Sequence, residues 1–267
     1  MPRSKIRCHD EKSGAAPSRH ETDVRQDVTW INNGVDCLCA EHLRKIAEAT
    51  GMPVQISRND INLKDSLSEA AASWEAAQGF CGCILLKNSC VTRACAFHEI
   101  LHIWRWFAQD IPILEMENAT KGERSIPKEF ITGLENQLEH CFVIPETIKH
   151  YSEERIFWEK EEKKKLQSLG ERLSNQTPES RRFNIAILKL KESFYGSAVI
   201  ASEMRLFAKT HGVSDEFENF GAILKNHTML TDEAKRCLAR AIIEFAGYDT
   251  SGVSLKYVNK KNSPLLL

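Results

Sequence analysis

Apolar positions recur at helical spacing along most of the chain, and short alternating runs interrupt them in its first half. In CLCAEHLRKIAEATG (37–51), Leu38, Leu43, Ile46 and Ala47 share one side and Gly51 supplies a stop, which predicts an amphipathic helix. PVQISR (53–58) and INLK (61–64) are suited to strands. The Ala-rich SLSEAAASWEAAQ (66–78) reads as a helix ending at Gly79, and GCILLK (82–87) as a buried strand bounded by Gly82 and Asn88-Ser89. VTRACAFHEILHIWRWFAQD (91–110) predicts a helix capped by Asn88 or Ser89. Its inward stripe holds Val91, Ala94, Cys95, His98, Leu101 and His102. Beyond a loop with Gly122 and Pro127, KEFITGLENQLEH (128–140) predicts another helix, which stops before FVIP and Pro145.

From about residue 150 the pattern is helical and, at first, densely charged. RIFWEKEEKKKLQSLGERL reads as an exposed helix face laced with Glu–Lys pairs one turn apart. A polar break, SNQTPES, leads into one long helical pattern, with Gly196 as an interruption and Gly212 as its terminator. Ser214 and Thr231 read as N-caps of two more helices, the second ending at Gly247. The expected class is therefore α+β. A small sheet packed on the 91–110 helix is followed by a mostly helical C-terminal region. The expected divisions are a flexible polar arm over 1–27, a domain over 28–149 and the helical region over 150–267.

Composition narrows the setting. With 267 residues, 42% hydrophobic and 27% charged, the chain can build a real core. Its 36 basic and 37 acidic side chains leave a net charge of −1, so no global field points to nucleic acid. No apolar run approaches the ~18 residues that span a bilayer, and the first residues lack a signal-peptide core. A cytoplasmic protein without a membrane partner is expected. Its nine cysteines then read as reduced thiols. The Cys37/Cys39 and Cys81/Cys83 pairs have one intervening residue, which is not the spacing of zinc knuckles.

The informative segment is His98-Glu99-Ile100-Leu101-His102. Residues four apart on a helix lie one turn above each other, so both imidazoles can face one metal ion. Glu99 projects beside that ion and can take a proton from water. A catalytic zinc site needs a third protein ligand and an open position. The next helix offers Glu135, Glu139 and His140. If Phe130, Leu134, Leu138 and Cys141 define its core face, Glu135 is the best-placed ligand. Glu139 either orients a histidine ligand from behind or exchanges roles with Glu135. His140 lies furthest round and becomes the ligand if the helix tightens or kinks before Pro145. His150 and Tyr151 read as ordinary surface or packing residues.

A glutamate on a helix downstream of H-E-x-x-H resembles the gluzincin arrangement, and a longer stretch resembles the ImmA/IrrE-type metallopeptidases. CILLKNSCVTRACAFHEILH is similar to that family's strand, turn and helix, with Arg93 five residues before the first histidine. LENQLEHCFVIP is similar to its helix with the acidic third ligand and a terminal proline. The likeness covers roughly residues 80–146. Leu101 stands where the family often has a small residue, and its Ala-Asn-x-Phe-Ala block is not reproduced. The resemblance implies a zincin-like fold, Zn2+ and cleavage of a regulatory protein or peptide. The competing expectation is an inactive metal-binding or interaction module whose C-terminal helices hold a partner protein. A DNA-binding regulator is not expected, because no helix-turn-helix signature accompanies the balanced charge.

Overall fold

The computed structural model describes residues 37–58, 70–86, 92–116, 125–225, 231–250, 252–258 and 265–266. The expected N-terminal arm, the 61–64 strand and the Asn88/Ser89 cap lie outside the described residues. No helix among them is long and apolar enough to cross a membrane. They fall into two compact units, one ending at Asp110 and the other starting at Ile111. The expected division was at 149/150.

The first unit is a small sheet with two helices. Helix α1 (Cys37–Thr50) precedes β1 (Gln55–Arg58), β2 (Ala70–Ser73), β3 (Cys83–Leu86) and α2 (Arg93–Phe107). The strand order is β1-β3-β2, with β1 parallel and β2 antiparallel to β3. Ile46, Ile84, Phe97, Ile100, Leu101 and Ile103 are fully buried, so α2 is apolar on nearly every side. At Gly82 a Cβ would sit 2.9 Å from Ile103 Cδ1, so the approach to β3 can lie close to α2 only with glycine there. The N-cap is Thr92, whose hydroxyl accepts the Cys95 N–H at 3.1 Å.

The helix expected over 66–78 is not formed. Residues 70–73 are a strand whose alanines pair with Cys83–Leu86. Alanine favours helices by at most a few tenths of a kcal/mol per residue, and pairing with a buried strand overrides that. Cys39, Cys81 and Cys83 are buried, and the Cys81 S–H is shared between the carbonyls of Met52 and Pro53, each 3.5 Å from Sγ.

The second unit contains β4 (Ile113–Met116), α3 (Lys128–His150), α4 (Glu154–Leu173), α5 (Pro178–Phe194), α6 (Ala198–Thr210), α7 (Ser214–Leu224), α8 (Asp232–Ala246), β5 (Val253–Lys256) and β6 (Leu265–Leu266). The strands form an antiparallel sheet in the order β4-β5-β6. Helix α5 is central: α3, α6, α7 and α8 all pack on it, and α3 also packs on β4. Phe183, Leu190, Phe220, Leu238 and Ile242 belong to the shared core.

Three expectations change in this unit. Helix α3 does not stop at residue 140 but runs to His150 with Pro145 inside it. A proline there removes one backbone bond, yet Val143, Ile144, Thr147 and Ile148 are buried around it, and their burial offsets the loss. The long 181–212 pattern breaks at Gly196, the interruption expected, which has φ +67°. Ser214 is instead the first residue of α7, and Val213 stands at the cap position without a side-chain hydrogen bond. The charged α4 is not wholly exposed, for Glu162 is buried and pairs with the buried Lys191 at 2.8 Å. Thr231 and Gly247 cap α8 as expected, with Gly247 left-handed.

Candidate metal site

Helix α2 carries His98, Glu99 and His102 on adjoining faces, each at least nine-tenths buried. The two imidazoles lie one turn apart with ring centroids 5.1 Å apart. Trp106, one turn further on, lies tilted against His102 at 5.5 Å, and the half-exposed Trp74 stands edge-on to Trp106 at 5.6 Å. These rings back the second histidine with rigid apolar surface. Arg93, the first residue of α2, is exposed.

Glu99 is where sheet and helix meet. Burial pushes its carboxyl up to about 7, and a hydrogen bond from the backbone of Ala72 in β2 opposes that rise only in part. A carboxyl in that range can give and accept a proton near neutral pH, which is the property of a general base and acid. The strand that replaces the expected 66–78 helix is thus the element that touches Glu99.

On α3 the two glutamates are engaged elsewhere. Glu135 Oε1 and Glu139 Oε1 accept from Lys235 Nζ at 2.8 and 2.7 Å, and Glu135 Oε2 accepts the Leu114 N–H at 2.8 Å. The same Nζ donates to the Pro112 carbonyl at 2.6 Å. Lys235 is 2% exposed, Glu135 6% and Glu139 0%, so this is a buried ionic cluster. Burial, countered by Lys235 and reinforced by Glu139, leaves the Glu135 carboxyl above its ordinary range. Expected as the third ligand, Glu135 has both carboxylate oxygens in these hydrogen bonds.

His140 is half-buried, and its ring lies 6.0 Å from that of Trp158 of α4. The His98 and His102 imidazoles, one helical turn apart on α2, can each offer a nitrogen to a metal ion, and neutral imidazoles suit zinc. Lys235, missed in the sequence, gives no local signal: a lysine in the second turn of a capped helix reads as solvated. No protein family, curated protein or solved structure matches this chain.

Proposed function

We propose that the protein is a zinc-dependent peptidase in which His98 and His102 hold the ion and Glu99 is the general base. The observation that carries this reading is the pair of buried imidazoles one turn apart on α2, their ring centroids 5.1 Å apart, with the buried Glu99 next to the first of them. Zinc bound there would act as a Lewis acid toward a carbonyl and lower the pKa of a water to about 7. Glu99 supplies the proton transfers: it takes a proton from the attacking water and later returns one to the departing amine. The Ala72 N–H fixes the carboxylate, and the surrounding apolar side chains keep bulk water from it. Glu135 and Glu139, the acids expected to supply or support the third ligand, are both held by Lys235.

The likeness of residues 80–146 to the ImmA/IrrE-type metallopeptidases supports a cytoplasmic regulatory protein or peptide as substrate. Cleavage of a complex peptide mixture by the zinc-loaded protein, followed by mass spectrometry, tests this. The wild type should cut, and Glu99→Gln should cut at least about 100-fold more slowly. Zinc uptake with no cleavage by the wild type would instead leave a metal-binding interaction module.

A further inference from the structure

The first unit, taken by itself, places two indole rings beside its histidine pair. Strand β2 packs along α2, and the Ala72 backbone meets Glu99. Two residues on, Trp74 meets Trp106, the helix position one turn beyond His102. The turn that follows β2 holds Trp74 in place. Ser73 Oγ accepts the Glu75 N–H at 3.1 Å, and Gln55 Oε1 of β1 accepts the Ala77 N–H at 2.8 Å. Of the large apolar side chains exposed among the described residues, Trp74, at 40%, is the one in this unit. A single exposed ring needs no explanation by itself. The second indole supplies the reason for this one.

Trp106 is 6% exposed, and its indole N–H is buried with no acceptor among the described residues. A donor buried without a partner costs about 1–3 kcal/mol, a loss that an acceptor brought by a bound molecule removes. The Trp74 ring stands edge-on to this indole at 5.6 Å, and the indole lies 5.5 Å from the His102 ring. Aromatic surface, open donor and histidine thus follow one another within two ring contacts. An extended peptide advances about 3.3 Å per residue, so a chain bound at the histidines passes the indoles within about three residues.

Two features of the second unit carry less. The shallow groove lined by Leu166, Gly170, Leu206, Phe207 and His211 is apolar, but nothing indicates what would cover it. Lys235 places its protons on Glu135, Glu139 and the Pro112 carbonyl, which leaves none for a ligand.

We infer that Trp106 and Trp74 form a specificity subsite: the Trp106 N–H donates to a backbone carbonyl of the substrate, and Trp74 lies against an aromatic or large aliphatic side chain beside it. The N–H is closed to water in the free chain and opens as the Trp74 ring turns toward the incoming side chain. The substrate class is a peptide with such a side chain within about three residues of the cleaved bond. This inference rests on the zinc-peptidase reading and adds its selectivity.

A peptide library randomised around the cleaved bond, incubated with the zinc-loaded full chain and read by mass spectrometry, tests it. At one position within that range, wild type should favour Phe, Tyr, Trp or Leu over Ala by at least about 10-fold in kcat/KM. Trp74→Ala should bring that ratio to within about twofold. Trp106→Phe keeps a ring on His102 but lacks the N–H, and should raise KM about 3- to 10-fold, the loss falling on KM rather than kcat. Native mass spectrometry should find the zinc ion retained in both variants, which separates a lost contact from a lost fold. Cleavage without preference, a preference that survives Trp74→Ala, a wild-type KM in Trp106→Phe, or loss of zinc from Trp74→Ala overturns the subsite and leaves the peptidase reading standing. Wild type that cuts no peptide in the library overturns that reading, and the subsite falls with it.

Discussion

Glu99 is a carboxyl whose ordinary pKa of 4.5 is raised to about 7, chiefly because burial disfavours its charge. The folded chain therefore holds that proton more tightly than the unfolded chain does. The resulting stability is complete below the unfolded pKa and is lost as pH rises through about 7. A shift of this size corresponds to about 3 kcal/mol. In metal-free protein, the melting temperature of wild type should fall relative to that of Glu99→Gln between pH 4.5 and 8. Parallel curves would contradict the burial argument. The same residue scale shows what could be read from sequence. His98, Glu99 and His102 are set by one helical turn, which is a local property. The engagement of Glu135 and Glu139 is not, because their partner Lys235 lies 96 residues from Glu139 in the chain.

At the level of elements, capping chemistry carries specific weight. Thr92 accepts the Cys95 N–H at the start of the helix that holds the histidines. Thr92→Ala should lower stability by about 1 kcal/mol, seen as a lower urea midpoint at unchanged slope. An unchanged midpoint would mean that another group caps α2. Long periodic segments were legible: α1, α2, α4 and α8 lie close to where apolar spacing puts them. The short strands were not. Ala70–Ser73 carries no strand signal of its own and is a strand only because β3 offers it an edge. Likewise β4 and β5 are each four residues long and pair across more than 130 positions. Pro145 is a genuine helix-stop signal that tertiary burial overrode.

At the scale of the whole molecule, the α+β class holds, with helices dominating the second unit. Helix α3, expected to close the metallopeptidase domain, packs instead with β4, α5 and the C-terminal helix α8. Sequence reading divides a chain where its composition changes, at about residue 150. The fold divides where burial does. A ligand that binds only the folded chain stabilises it by mass action, so zinc at 100 times its Kd should add about 2.7 kcal/mol. The melting temperature should rise on adding zinc and return to its starting value on chelation. No rise at saturating zinc would contradict the metal reading.

Native mass spectrometry of the zinc-supplied protein bears most directly on the ligand set. The account predicts one zinc ion per chain in wild type, and its loss in His98→Ala and His102→Ala alike. A wild-type chain without zinc, or a His102→Ala chain that keeps the ion at full occupancy, would contradict it.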